Sequence, residues 1–459
     1  MEGLLSLATR RADWPAAIGY AERILANDRR AVERFGTPQD MHDLAGSLRN
    51  LATAYRDADD LDAAACCMHE CLSIRRELVA TQPAPEYVRS LGAALAFLAI
   101  VLSDQARIDE AEALFREAIE LQREMVVQHG LVVDQLQCAR ILGNYSALLR
   151  RKGALADAMA MARDGVVLSR EAHAKLDSLQ SSRELSKALG SAALLLRDGG
   201  EHGEAIAVLH ECLQLDGARA GLDGPNLVVD REQLSTTHYR LGRLLESTGS
   251  PDEAANHYRQ CLEIDRDVVA KGVEPLRKRE QTLIGTLSRL AQLAELNGGY
   301  EEAERLLRES LCIQQRHLAD GGGRDAYRDV GITLGRLGDV LRSRNQLEQA
   351  RDVSLECVRI ARQACAAFDD PMMRRDLSIA LREAGDVELL RGRLDDARMH
   401  YRECLEMRQA LHREAPDAQV ARRDMAVALR KLAEVERRSG DLDAATVLMA
   451  EAAAYEEIE

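Results

Sequence analysis

The sequence predicts an all-α solenoid of about ten antiparallel helix pairs, because one short phrase recurs along it at a nearly constant spacing. In this phrase an acidic tract is followed by alanine and then by an amphipathic run, as at residues 61–64 and 108–111. The last alanine of each phrase, which we call the anchor, recurs every 47 to 49 residues, a period typical of helical repeat arrays. The ten anchors are Ala17, Ala64, Ala111, Ala158, Ala205, Ala254, Ala303, Ala350, Ala397 and Ala445.

The length and composition of the chain agree with a repeat array. At 459 residues the chain exceeds the size at which one globular core stops growing, so we expect a single array over residues 1–459 that extends its core in one dimension. Aromatic residues make up 3% of the chain and apolar residues 46%, so leucine, alanine and valine must do the packing. This composition favours helix-on-helix layers over a β-sandwich or a barrel.

Each period divides into two helices around the acidic phrase. A small residue lies twelve positions before the anchor and usually follows an apolar one, as in Leu51-Ala52 and Leu241-Gly242. A small side chain there lets two helices approach closely, which places it on the first helix of the pair. The acidic tract suits the first turn of the second helix, where carboxylates favour the positive end of the helix dipole.

The charge and the apolar runs exclude several classes of partner. Lys and Arg number 61 against 76 acidic residues, so the net charge of −15 repels a phosphate backbone and no nucleic-acid partner is expected. The longest apolar run, residues 93–102, is far shorter than the roughly 20 residues that span a bilayer, so no membrane contact is expected. No basic, apolar leader opens the sequence, and we expect a cytoplasmic protein.

The ten cysteines do not predict chemistry. Half of them lie seven residues after an anchor, and an equivalent position in successive repeats indicates a packing slot for a small apolar residue. A glutamate likewise recurs six residues after several anchors, as expected for a solvated helix face. We found no nucleophile elbow, phosphate-binding loop or zinc-protease motif, and therefore predict no catalytic residue, no metal and no cofactor. The cysteines at the shared position are Cys71, Cys212, Cys261, Cys357 and Cys404, and the glutamates include Glu70, Glu117, Glu211, Glu356 and Glu403.

These repeats resemble the tetratricopeptide repeat, in which the first helix carries Leu-Gly and the second carries alanine followed by an aromatic and a small residue. The match is clearest in Leu241-Gly242, Ala254, Tyr258 and Cys261. The usual repeat has 34 residues, so this chain is similar to the long-helix variants of kinesin light chains and bacterial signalling and defence proteins. The resemblance implies a right-handed α-α superhelical solenoid of about ten antiparallel helix pairs.

The resemblance also implies a binding surface, because the concave wall of such arrays is lined mainly by first helices. Arg240, Arg289 and Arg336 occupy the same position, fourteen residues before their anchors, and Asn144 occupies it further upstream. With Lys187 they predict a row of donors for an acidic segment or a C-terminal carboxylate. The alternative is that these arginines simply pair with Asp339, Asp386 and Glu434 on the same set of helices.

The function expected is a non-catalytic scaffold or adaptor that binds a protein or peptide in its concave groove. A regulatory sensor, whose ligand changes the curvature of the array and so controls an effector, is the alternative, and an enzyme with a site built from several repeats is a third class. Val447, Leu448, Met449 and Ala452 lie on the last helix with no following helix to cover them. We therefore expect effector docking or self-association there, or a longer parent chain. The irregular segment 217–226 is expected to be a loop.

Overall fold

The computed structural model describes residues 2–10, 13–222, 224, 226–415 and 419–455, and within them it contains twenty α-helices and no strand. The first helices of the pairs are α1 (Glu2–Arg10), α3 (Pro38–Asp57), α5 (Pro85–Asp104), α7 (Val132–Lys152), α9 (Leu179–Asp198), α11 (Leu227–Ser247), α13 (Leu276–Leu296), α15 (Arg324–Ser343), α17 (Pro371–Leu390) and α19 (Gln419–Ser439). The second helices are α2 (Trp14–Arg34), α4 (Leu61–Thr81), α6 (Ile108–His129), α8 (Leu155–Leu176), α10 (His202–Ala220), α12 (Pro251–Ala270), α14 (Tyr300–Ala319), α16 (Leu347–Ala367), α18 (Leu394–Glu414) and α20 (Leu442–Ala454). The predicted all-α class and the ten helix pairs are confirmed.

The helices group into two compact units, one of residues Met1–Arg279 and one of residues Glu280–Glu459, with the boundary inside α13. In the first unit a continuous apolar core runs from Ala21 to Leu244. The second unit holds several smaller core clusters, one of them between Val330 and Ala428. Each unit is a run of helix pairs, and the single array over residues 1–459 stays a prediction.

Every anchor alanine is the fourth residue of a second helix, and every one is buried. Nine of them are completely inaccessible, and Ala445 is 7% exposed. A methyl group at this point lets the first turn of the second helix lie directly against the first helix, because interaxial distance depends on the side chains at the crossing. The recurring alanine therefore marks the closest contact within each pair.

The turn between the two helices of a pair has one backbone conformation throughout the described chain. In each of nine pairs the residue five positions before the anchor has a positive φ, between 57° and 94°. Glycine adopts this left-handed conformation without a steric penalty, and most of the nine are glycine. These residues are Asp59, Ala106, Gly153, Gly200, Gly249, Gly298, Asn345, Gly392 and Gly440.

Ala106 is the only one of these nine turn residues that is neither glycine nor a residue with a polar side chain that could stabilise its φ of 62°. We expect Ala106→Gly to raise the free energy of unfolding by about 1 kcal/mol, because the clash between Cβ and the following carbonyl disappears. Gly153→Ala, at the same turn position, should lower it by a similar amount. Chemical denaturation followed by circular dichroism measures the free energy of unfolding of each variant. Changes of the same sign in the two variants would show that the backbone of Ala106 is not strained.

At two of the helix crossings, a glycine on the first helix faces a tyrosine on the second helix. A Cβ on Gly242 would lie 2.8 Å from Cε1 of Tyr258, and one on Gly385 would lie 2.5 Å from Cε1 of Tyr401. Both tyrosines are fully buried, four residues after their anchors. Gly338 has open space at the same position, because Ser354 replaces the aromatic ring.

This complementarity predicts opposite effects for one substitution at two equivalent positions. Gly242→Ala should destabilise the chain by about 1–3 kcal/mol, since the ring of Tyr258 cannot move out of a packed core. Gly338→Ala should be neutral or stabilising by up to about 1 kcal/mol, because alanine is the better helix former. Thermal unfolding of the two variants beside the parent chain tests the difference, and two similar losses would contradict it.

The five cysteines that share a repeat position are all buried and have free thiols. Four of them donate to a first-helix carbonyl 26 residues earlier. The Sγ to oxygen distances are 3.1 Å for Cys71 and Ala45, 3.1 Å for Cys404 and Ser378, 3.4 Å for Cys212 and Ser186, and 3.6 Å for Cys357 and Gly331. Burial raises the pKa of the Cys357 thiol to about 12. The interpretation as core thiols is therefore confirmed.

One described helix, α5, is long and apolar enough to cross a bilayer by length and composition. Most of its apolar window, 61%, is buried within the protein, where α5 packs against α4, α6 and α7. Its apolar character is explained by its position in the core.

The segment 217–226 differs from the expected loop, because α10 continues to Ala220. The Arg219 guanidinium is 2% exposed, donates to Ser182 Oγ at 2.7 Å and pairs with Asp230 at 3.3 Å. These buried bonds hold the last turn of the helix, so the first four residues of the segment, 217–220, are helical.

Candidate protein-binding surfaces

First helices form the more closely packed side of each unit. In the first unit α3 contacts α5, α5 contacts α7 and α7 contacts α9, and in the second unit α15 contacts α17 and α17 contacts α19. Because neighbouring first helices touch while each second helix mainly contacts the first helices beside it, the first-helix side is the inner side of each unit. The predicted site residues all lie on these helices.

Arg240 on α11 is the predicted residue best placed to receive an anion. Its half-buried guanidinium extends over Gly190 of α9, where a β-carbon would collide with it. Burial lowers the pKa of Arg240, and among the described residues no carboxylate lies within ion-pair distance of it. A desolvated cation with no neutralising partner favours an anionic ligand.

Asn144 and Lys187, the other predicted residues of the first unit, are differently placed. Asn144 is half-buried on α7, at the repeat position that Arg240 occupies on α11. Lys187 is exposed on α9 and pairs with Glu184, one turn earlier, at 3.2 Å. An exposed ion pair of this kind contributes little to stability. Lys187 can therefore leave Glu184 and donate to a ligand instead at a small cost in free energy.

In the second unit the predicted arginines already have partners. Arg336 Nη2 pairs with Glu295 at 2.6 Å, and its Nη1 donates to the Ser288 carbonyl at 3.3 Å. Arg289 donates to Gln292 Oε1 at 3.3 Å. The charge of Arg336 is therefore neutralised within the protein, and a ligand would have to displace Glu295.

The three acids named in the alternative do form ion pairs, but with cations other than the predicted site arginines. Asp339 pairs with Arg342 on its own helix, Asp386 with Lys431 at 2.7 Å, and Glu434 with Arg437 at 2.6 Å. Two of these pairs join residues three positions apart on one helix, a spacing that brings side chains together without tertiary contact. Within the described part of the chain, none of the three predicted acids pairs with Arg240 or Arg336.

A cleft of about 270 Å³ on the inner side of the second unit contains an acid that sequence reasoning missed. Glu383 on α17 lines it together with Arg336, Ile332 and Ile379. Burial raises the pKa of Glu383, and its nearest cation, Arg382, lies at 3.2 Å. Glu383 occupies the same repeat position as Arg240 and Arg336. Extending the series from Arg336 to the next repeat would have identified it in the sequence.

The outer side carries a regular series of ion pairs between successive second helices. Four of the recurring glutamates expected on a solvated face accept from an arginine of the preceding repeat, 41 residues earlier, across distances of 2.6 to 2.9 Å, whereas Glu356 accepts from Arg359 on its own helix. These surface pairs are individually weak, but they neutralise the outer face and link neighbouring repeats. They are Arg29 with Glu70, Arg76 with Glu117, Arg170 with Glu211, and Arg362 with Glu403.

The apolar face predicted on α20 is only partly open. Ala452 is buried beside Met425 and Leu429 of α19, and Leu448 packs against the same cluster. Val447 is 66% exposed and Met449 49% exposed. Docking or self-association through this helix stays a prediction, with Val447 and Met449 as its accessible residues.

Three histidines meet between α10, α11 and α12 of the first unit. Nδ1 of His238 and Nδ1 of His257 are 3.0 Å apart, so one ring donates to the other. His210 lies with its ring centroid 6.3 Å from that of His257. Burial and His257 lower the pKa of His238 to about 4, against the weaker opposing effect of Asp216. Burial and His210 lower the pKa of His257, which Glu253 opposes. Among the described residues no group of three such side chains converges to hold a metal ion.

These lowered pKa values predict acid sensitivity. A histidine in the unfolded chain binds a proton near pH 6.5, whereas His238 in the folded chain does so near pH 4. The free energy of unfolding is therefore undiminished above pH 6.5 and falls as the pH is lowered towards 4, because protons then bind preferentially to the unfolded chain. The full shift corresponds to about 3 kcal/mol, which partial exposure reduces to about 1 kcal/mol. His238→Gln should flatten the unfolding free energy between pH 6.5 and 4. The exposed His69→Gln is the control, and equal pH profiles for the two variants would exclude the cluster as the cause.

Comparison with known proteins identifies the repeat. One tetratricopeptide-repeat model matches residues 44–82, 91–129 and 283–321, and a second matches residues 235–268. The ranges in the first unit coincide with the pairs α3–α4, α5–α6 and α11–α12. No curated protein matches the chain in sequence.

Three solved structures illustrate what the chain resembles. The apo form of RapI has a TM-score of 0.51 and 13% identity, with 88% of this chain and 98% of RapI covered. BtubC (BKLC) from P. vanneervenii has a TM-score of 0.46 and 19% identity over 57% of this chain and 94% of its own. A signal-transduction ATPase with a tetratricopeptide repeat sensor, from Pyrococcus horikoshii, has a TM-score of 0.48 and 12% identity over 96% of this chain but only 55% of its own. At such identities RapI indicates the fold alone.

Proposed function

We propose that this chain, a tetratricopeptide-repeat protein, is a non-catalytic scaffold or adaptor that holds a protein or peptide segment on the inner side formed by its first helices. The observation that carries the proposal is Arg240, a half-buried cation on that side with no carboxylate partner among the described residues. A ligand carboxylate would supply the missing partner and recover the desolvation cost of the guanidinium. The partner is therefore an acidic segment or a C-terminus.

The surroundings of Arg240 support an extended ligand. Asn144 and Lys187 lie on the first helices α7 and α9 of the same unit, and each can donate to a backbone carbonyl or a carboxylate. First helices in contact form a continuous surface, which suits capture of a helix or an extended chain. The outer side offers fewer free charges, because its arginines are largely paired with glutamates.

The buried thiols suit a reducing compartment, so a cytoplasmic location is part of the proposal. Regulation of an effector through ligand binding is the alternative mode of action for the same surface, since the repeat also serves in sensors such as the P. horikoshii protein. Both modes require a protein or peptide ligand on the inner side.

A charge reversal at Arg240 tests the surface. Arg240→Glu should weaken capture of the natural partner at least tenfold, roughly the effect of 1.4 kcal/mol, because a repelling carboxylate replaces the cation. Arg336→Glu is a poorer probe, since it would also leave Glu295 unpaired. Partners retained from a host lysate by the parent chain would be identified, and their affinities then measured with purified proteins.

The matched control is Arg30→Glu, which reverses an exposed arginine on the second helix α2 of the same unit. Circular dichroism must show that both variants keep the helical content of the parent chain. Equal loss from both variants would indicate a general charge effect, and full retention of the partner by Arg240→Glu would move the binding surface elsewhere.

A further inference from the structure

The cleft of about 270 Å³ in the second unit has an apolar end and an acidic end. It lies between the first helices α15 and α17, with α16 as its floor. Tyr327 and Gly335 line it on α15 eight residues apart, which corresponds to about 12 Å along the helix. Its volume is just below the range of roughly 300–1,000 Å³ that is usual for ligand pockets. The space therefore suits a small molecule better than a segment of another chain.

The floor and one wall of the cleft carry only small or apolar groups. Gly331 and Gly335, one turn apart on α15, leave their wall without side chains. A Cβ added to Gly331 would meet no atom within 4 Å, so the space beside it is open. An apolar ligand that covers this surface removes it from water. The floor residues on α16, all of them buried, are Cys357, Ile360, Ala361 and Ala364.

Glu383 on α17 places a carboxylate oxygen at the acidic end of the cleft. Its Oε1 accepts from Arg382 Nη2 at 3.2 Å, whereas Oε2 has no hydrogen-bond donor among the described residues. Oε2 lies 3.1 Å from the position that a Cβ would take at Gly335, so that glycine makes room for it. The side chain of Glu383 is 23% exposed. A partly desolvated carboxylate oxygen without a donor favours a cationic ligand.

The two arginines that line the cleft do not compensate Glu383, because other carboxylates already neutralise them. Arg328 pairs with Asp376 at 2.9 Å on the adjacent helix α17. Arg336 pairs with Glu295, which lies outside the cleft, at 2.6 Å. Neither guanidinium is therefore a counter-ion for Glu383.

Arg382 neutralises Glu383 only in part. The same guanidinium also pairs with Asp386 at 3.0 Å, so two carboxylates share one cation. Burial raises the pKa of Glu383, and Asp339 at the same end of the cleft adds to that effect while Arg382 opposes it. Burial and then Glu383 likewise raise the pKa of the Cys357 thiol in the floor. The charge that remains in the cleft is therefore negative.

We propose that this cleft binds a small organic cation, a primary amine carried on a short apolar body. The ammonium donates to Glu383 Oε2, and the apolar body lies beside Gly331 over the floor of the cleft. The site lies within the second unit and does not use Arg240, so it goes beyond the protein-binding function proposed above. A bound amine contacts α15, α16 and α17 together and so links two successive repeats.

The test uses the full chain and 4-phenylbutylamine, with binding measured by isothermal titration calorimetry. The comparisons are 4-phenylbutanol, which has the same apolar body without the charge, and 4-phenylbutyrate, which reverses the charge. We expect the amine to bind once per chain, at least about tenfold more tightly than the alcohol, and the anion not to bind. The amine should also raise the melting temperature, because it binds only the folded chain. Absence of amine binding, or equal affinity for the amine and the alcohol, would overturn the proposal.

Glu383→Gln removes the charge and keeps the size of the side chain. It should weaken amine binding at least about tenfold and leave binding of the alcohol unchanged. The matched control is Glu356→Gln on the outer side of the same unit, where Glu356 pairs with Arg359 on its own helix at 2.6 Å. This control should bind the amine as the parent chain does. Full retention of binding by Glu383→Gln, or equal losses from the two variants, would refute the site.

Gly331→Leu fills the cleft without altering its charges. The open space beside Gly331 accepts the side chain, and leucine is a better helix former than glycine, so the melting temperature should stay the same or rise. Binding of both the amine and the alcohol should be lost. A folded variant that still binds the amine would place the ligand elsewhere. Gly331→Ala, which should weaken binding with less change in volume, keeps the test informative if the leucine variant does not fold.

Two further measurements fix the source and the place of the ligand. Hexalysine presents the same ammonium on a peptide, and we expect it to compete more weakly than the amine at equal ionic strength, because the cleft holds one small molecule. Tighter binding of hexalysine would overturn the assignment of a small molecule. Arg240→Glu, in the first unit, should leave amine binding unchanged, and a loss of amine binding in that variant would overturn the assignment to this cleft.

Discussion

The close contact between the first turn of each second helix and the helix before it is the constraint on which the rest of the structure depends. An alanine at the fourth position of every second helix makes that contact, and the residue twelve positions earlier completes it. Where a tyrosine enters the crossing, as at Tyr258 and Tyr401, the facing residue is glycine. The buried alanine methyl group lets the two helices of each pair lie close together, which allows successive pairs to stack in a similar way.

Constant stacking also organises the polar groups. Second helices present arginine and glutamate at recurring positions, so several neighbouring repeats are linked by ion pairs across the outer side. First helices carry a less regular set of charges, some paired within the helix and some, such as Arg240, without a carboxylate among the described residues. A regular outer face and an irregular inner face are what a scaffold needs if its inner side is to recognise a particular partner.

Much of the fold could be predicted from the sequence, because the interactions that define it are local and repeated. The anchors predicted the start of every second helix, and the shared position of the cysteines predicted their burial. The loop expected over residues 217–226 was wrong at its beginning, since Arg219 is held in the last turn of α10 by residues of two other helices. No local pattern signals that kind of support.

The sequence by itself determined the class and the number of helix pairs, and it placed the predicted site residues on first helices, because the period and the register depend only on spacing along the chain. The tertiary structure alone decided which charged residues remain available. Arg240 and Arg336 are equivalent in the repeat, yet Glu295 neutralises one and no described carboxylate neutralises the other. Pairing depends on which side chain the next helix brings within about 4 Å, and that distance exists only once the helices have packed.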